Sequence, residues 1–166
     1  MTSELMLRRK WTLRAGDQQV VFVKKSNEHA HHVLMKAFLW ALYIPVYPQL
    51  AVEISIGDRY KPDVVALDAQ EQPLFWGEAG QVSERKLHAL FKRYPHTHFA
   101  IAKWHTSLRP HADIIRSALH NLKRSAAVDL LSFPVNSAER FIDQQDQIHV
   151  RHQDLEWLRV EAMSKR

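Results

Sequence analysis

Two acidic residues, Asp63 and Glu78, stand in an arrangement suited to metal-assisted chemistry. Asp63 follows Pro62 near the start of one strand-like run, and Glu78 closes the next such run. Hairpin-linked strands place opposite side chains within about 5 Å of each other. Two carboxylates converging in that way form a hard, oxygen-rich site suited to Mg²⁺ or Mn²⁺. An ion held there activates a water as nucleophile and stabilises charge building on a phosphodiester in the transition state. Such hydrolysis requires neither a cysteine nor a serine nucleophile. The chain has no cysteine at all, which excludes thiol chemistry, disulfides and thiolate metal sites.

Several elements must position these acids. Residues 11–25 alternate around a Gly16-Asp17 turn and read as an N-terminal hairpin. Ser26 offers an N-cap for a long helix with apolar Val33, Leu34, Ala37, Phe38, Ala41 and Leu42 at helical spacing, ended by Pro45. Its second half is apolar nearly all round, so it is expected to be deeply packed. Strands are expected at 52–56, 62–67 and 73–78, as a meander. After Gly80 the period changes: Leu87, Leu90, Phe91 and Tyr94 mark a helix behind a Ser83 cap, ended by Pro95. A buried strand at 98–103, a helix with its apolar stripe from Ile114 to Leu122, and a strand at 128–133 follow. A short helix at 137–144 and strands at 148–152 and 155–160 complete an α/β reading.

With 166 residues, no repeat and only four glycines, the chain is expected to form one domain over 1–166. No apolar run approaches the length needed to span a bilayer, and the first residues are too polar for a signal peptide, so no membrane partner and a cytoplasmic location are expected. The formal charge of +5 suits a polyanion such as nucleic acid, although a basic surface also serves solubility. Candidate phosphate contacts are Arg85, Lys86, Lys92 and Arg93 on one helix, and Arg109, Arg116, Lys123 and Arg124 on or after the next. His29, His31 and His32 fit no strict zinc spacing and read as helix surface. Glu53 stays outside the core site.

The segments Lys61-Pro62-Asp63-Val64, Trp76-Gly77-Glu78-Ala79-Gly80 and Ser83-Glu84-Arg85-Lys86-Leu87 resemble the YaeQ family, within the PD-(D/E)XK nuclease-like superfamily. The motif-level resemblance covers about residues 61 to 94, and the order of elements matches further. It implies a restriction-endonuclease-like core: a mixed central sheet flanked by helices, with an N-terminal β-hairpin. It also implies that Asp63 and Glu78 bind the metal together with the helical Glu28, and that Ala79 offers its backbone carbonyl. The motif's lysine would fall at position 80, where this chain has glycine. Gln81 and Lys86, or Arg85, are the residues that would take over its role in orienting the attacking water. The implied activity is Mg²⁺- or Mn²⁺-dependent hydrolysis of DNA or RNA. The alternative is a chain that keeps the fold and binds nucleic acid or a protein partner without cleavage.

Overall fold

Alternation of inward and outward side chains produces the first element pair. β1 (Lys10–Ala15) buries Trp11, Leu13 and Ala15 on one side and pairs antiparallel with β2 (Gln18–Val23). The Gly16-Asp17 turn needs a left-handed residue, and Gly16 supplies it at φ 58°. These elements belong to a computed structural model that describes residues 8–160.

Helix α1 (Ala30–Tyr43) starts at the His29 cap, three residues beyond the expected Ser26 cap. Residues 25–28 instead form a turn, with the Glu28 N–H on the Lys25 carbonyl at 3.0 Å and Lys24 Nζ on the Glu28 carbonyl at 3.2 Å. Every residue from Val33 to Tyr43 is buried, Lys36 included. This all-round burial matches the all-round apolar sequence.

The main sheet has six strands in sequence order, β3 (Ala51–Val52), β4 (Val64–Leu67), β5 (Pro73–Ala79), β6 (His98–Trp104), β7 (Val128–Phe133) and β8 (Glu156–Val160). The β5/β6 and β6/β7 pairs are parallel, and the others antiparallel. Parallel neighbours require crossover helices. α2 (Glu84–Arg93) and α3 (Arg109–Leu119) are those helices, and both cover the same face. There Trp76, Ile101 and Leu130 of the sheet pack with Leu87, Phe91 and Ile115. α1 covers the other face, coming so close that a Cβ on Gly77 would lie 3.3 Å from the Leu39 side chain. A short α4 (Ser137–Phe141) follows β7. The mixed sheet, its flanking helices and the N-terminal hairpin are as expected.

Three further sequence expectations need correction. The 52–56 strand shrinks to two paired residues, because Glu53 takes a left-handed φ of 56° that turns the chain out of the ladder. The 137–144 helix ends at Phe141. No ladder runs over 148–152; Ile148 makes a single bridge to Ile142, and His152–Asp154 form a 3₁₀ turn before β8. Among the described residues no helix is long and apolar enough to cross a membrane.

The α2 cap matches the sequence reading. Ser83 Oγ accepts the Lys86 N–H at 3.1 Å. Ser83→Ala is therefore expected to cost about 1 kcal/mol and lower the melting temperature by about 2–4 °C, measured by thermal unfolding.

On the α1 face, at the amino ends of the parallel strands, the wholly buried Asp129 gathers a polar cluster. Its Oδ2 accepts from Tyr43 Oη at 2.6 Å and lies 2.7 Å from His98 Nε2, while Oδ1 accepts from Arg159 Nε at 2.8 Å. The cluster ties α1, β6, β7 and β8 together.

Candidate functional site

The β4/β5 ladder pairs Val64 with Gly77, and the Asp63 N–H continues it to the Gly77 carbonyl at 3.2 Å. The next level of the same ladder is Asp63 opposite Glu78. Asp63 is fixed by the Ala79 N–H, which donates to its Oδ2 at 2.8 Å. Because Gly77 faces α1, Glu78 faces the opposite side, toward α2. Its Oε1 accepts from Trp76 Nε1 at 2.8 Å and lies 3.2 Å from Lys86 Nζ in the first turn of α2.

Burial pushes both acids above the ordinary carboxylate range. For Asp63 it outweighs the Ala79 N–H and the nearby His32, Lys36 and Lys86. For Glu78 burial is joined by repulsion from Asp63, which Lys86 and the Trp76 N–H offset only in part. Each carboxylate thus gains from a nearby cation.

A second network approaches Asp63 from α1. Glu28 Oε2 accepts from Lys36 Nζ at 2.6 Å and faces His32 Nδ1 at 2.7 Å. Lys36 also pairs with Glu53. Burial would raise the Glu28 carboxyl, but Lys36, His32 and the Lys25 N–H bring it down to about 2. His32 Nε2 lies 3.1 Å from the Ala79 carbonyl oxygen and 3.8 Å from Asp63 Oδ2. Glu28, His32, Lys36, Glu53, Lys61 and Asp63 line one open cavity of about 290 Å³.

The residues singled out by sequence are placed unequally. Asp63, Glu78, Ala79 and Lys86 come together. The Glu28 carboxylate is bonded to Lys36, His32 and the Lys25 N–H, so its link to Asp63 runs through His32. Gln81 is exposed and makes no hydrogen bond to either acid. Arg124, a candidate phosphate contact, instead donates to the carbonyls of Phe91, Tyr94, Thr97 and Ala126. Arg93 is held by Asp58 at 2.5 Å. Arg85, Lys92, Arg109 and Lys123 remain exposed.

Among the described residues no three His, Asp or Glu side chains converge as a metal cage. The donor set that does fit a hard cation is the Asp63 and Glu78 carboxylates with the Ala79 carbonyl, two of them carrying charge that burial penalises.

The sequence matches no protein-family profile, and it matches no curated protein. Among solved structures it resembles the YaeQ protein from Pseudomonas syringae, with a TM-score of 0.58 and 19% identity over 81% of this chain and 75% of that one. It also resembles the YaeQ protein from Xanthomonas axonopodis pv. citri, with a TM-score of 0.53 and 15% identity over 74% of this chain and 72% of that one. The fold is YaeQ-like. This architecture puts the Asp63 and Glu78 level at the carboxyl end of β5, beside parallel β6, where α/β sheets open a crevice for ligands.

Within that YaeQ-like fold, the sequence reading missed His32 and Lys36. The available signal was the four-residue spacing from Glu28 to His32 and on to Lys36, which puts the three on one face of the helix expected from Ser26. The buried stretch around Lys36 also flagged a charge that needed partners.

Proposed function

We propose that this chain is a divalent-metal-dependent nuclease whose Asp63 and Glu78 hold Mg²⁺ or Mn²⁺ against a nucleic-acid phosphodiester. What carries the reading is the juxtaposition of buried Glu78 with half-buried Asp63, both held above the carboxylate range, with the Lys86 ammonium on Glu78. Asp63, Glu78 and the Ala79 carbonyl would hold the ion, and the ion would supply an activated water and charge stabilisation at phosphorus. Trp76 fixes the Glu78 carboxylate through its indole N–H, and the Ala79 N–H fixes that of Asp63. Lys86 stands in for the lysine absent at position 80 by placing a cation beside the reacting phosphoryl group. Exposed Arg85, Lys92 and Arg109 add sequence-independent attraction for the backbone.

The experiment is Mn²⁺ titration followed by incubation with single- and double-stranded DNA and RNA. Cleavage is expected with the wild-type chain and is expected to vanish in Glu78→Gln and Asp63→Asn. Wild-type protein that binds no divalent ion, or variants that cut equally well, would overturn the reading.

A second reading is favoured by a specific observation: both acid pairs already have internal cations, Lys86 on Glu78 and Lys36 on Glu28 and Glu53. A site neutralised in this way suits a chain that binds nucleic acid without cutting it. Salt-dependent binding with no cleavage under any divalent ion distinguishes it.

A further inference from the structure

Lys103 is a buried cation that no acid balances. It lies near the end of β6 with 9% of its surface exposed, and its ammonium donates to the Gly80 carbonyl at 2.6 Å. An ammonium has three N–H donors, and among the described residues this is the one hydrogen bond it makes. The acids on the surrounding elements are engaged elsewhere: Glu78 with Trp76 and Lys86, Glu84 with Ser117 Oγ at 2.9 Å, and Asp113 with Arg116 at 3.4 Å. Burial pushes the Lys103 ammonium down, and no described acid raises it again. A charge taken out of water in this way is costly until a counter-charge meets it.

The amino end of α3 supplies the rest of an anion's surroundings. Register pairs Glu78 with Ile101, so Lys103, two residues on, belongs to the same face of the sheet as Ile101, the face that α2 and α3 cover. There it lies close to the first turn of α3: burial, and after it the Lys103 charge, hold the His111 imidazole below its ordinary range. That turn lacks what steadies a helix start. Leu108 at the cap makes no side-chain hydrogen bond, and no acid stands in the first turn. Arg109 instead adds positive charge to the positive end of the dipole. The Lys103 and Arg109 charges repel one another and the dipole unless an anion lies among them. Ser107 and Arg109 are exposed, which leaves an approach from solvent.

We propose that Lys103 and the amino end of α3 form a binding site for a phosphate group. Lys103 Nζ supplies the buried charge, the N–H groups of the first α3 turn supply further donors, and Arg109 adds a second charge. One strand across from Glu78 and two residues on, Lys103 has its Cα about 8 Å from that of the acid. That offset suits a phosphate flanking the one that faces Asp63 and Glu78. The site needs no metal, so it stands apart from the metal reading of those two acids.

The test uses the full chain in metal-free buffer. Inorganic phosphate and a short single-stranded oligonucleotide are the probes, with sodium chloride of equal ionic strength as control. Phosphate titrated into ¹⁵N-labelled protein is expected to shift the amide signals of Gly80, Arg109, His111 and Ala112. The melting temperature is expected to rise by about 3–6 °C at about ten times the phosphate Kd. In Lys103→Met the affinity is expected to fall at least about tenfold, the loss of one charge-assisted hydrogen bond. Lys103→Gln, which keeps a donor for the Gly80 carbonyl, carries the comparison if the first variant folds poorly. Shifts at the same amides with the oligonucleotide identify a backbone phosphodiester as the ligand, and shifts with inorganic phosphate alone identify a free phosphate. If neither probe moves these amides beyond the chloride control, the site is overturned. Binding retained in full by either folded variant overturns it equally. No divalent ion enters these measurements, so failure here leaves the Asp63 and Glu78 reading standing, and failure of that reading leaves this site standing.

Discussion

Asp129→Ala is expected to be the most destabilising of the single substitutions considered, costing about 3 kcal/mol, the lower end of what breaking a buried ion pair costs. The carboxylate is wholly buried and serves Tyr43, His98 and Arg159, drawn from three different elements. Truncation leaves those groups facing a void of the same shape. The cost stays at the lower end because the Arg159 side chain, 46% exposed, regains water. Tyr43 Oη keeps a neighbour in His152 Nε2 at 3.2 Å. At about 2–4 °C per kcal/mol for a domain of this size, the melting temperature falls by about 6–12 °C. A variant that melts within about 2 °C of the wild type would show that the cluster contributes little.

The same carboxylate gives a pH dependence of known sign. Burial would raise the Asp129 carboxyl, but the hydrogen bonds from His98, Arg159 and Tyr43 carry it far below the ordinary range. The unfolded chain therefore takes up a proton near the usual aspartate value of about 3.9, while the native chain does not. The stabilisation is fully present above that pH and is lost as pH falls below it. Asp129→Ala has no such carboxylate, so its stability is expected to fall less steeply than that of the wild type below about pH 4.

Local signals made most of the frame legible. The hairpin shows in period-2 alternation around a glycine turn, and α2 shows in its Ser83 cap and apolar line. Both are short-range features whose physics lies within a few residues. The β4/β5 level that opposes Asp63 and Glu78 follows from register, which two strands and one turn nearly determine. What escaped depends on distant partners. The first strand of the meander stops at Val52 because Glu53 turns outward to reach Lys36, a residue of another element. Helix α1 starts late because Glu28 is held in the preceding turn, where its carboxylate meets His32 and Lys36. Arg124 reads as a surface charge by sequence, yet four carbonyls around the α2 end and the β6 start claim it. No spacing rule carries that information, since each case is settled by which side chain needs a partner once the layers are packed.

Lys86 provides the test in which binding and chemistry separate. Its ammonium lies 3.2 Å from Glu78 Oε1 and 5.1 Å from the centre of the Tyr60 ring, so the side chain is held from two sides. Lys86→Met keeps the stem and removes the charge. The cation that repels an incoming metal is gone, so Mn²⁺ binding is expected to be retained or tightened. One opposing effect follows from Glu78: burial and Asp63 raise its carboxyl, and Lys86 is among the groups that lower it. Without Lys86 the proton competes with the metal up to a higher pH, so the comparison belongs in alkaline buffer. Under saturating Mn²⁺ the single-turnover cleavage rate is expected to fall by about 10²–10³-fold, the size of losing one preorganised stabiliser of transition-state charge. A purely structural lysine would lower the melting temperature and leave the rate at saturation intact. An unchanged rate in a folded, Mn²⁺-loaded Lys86→Met chain would remove Lys86 from the chemistry.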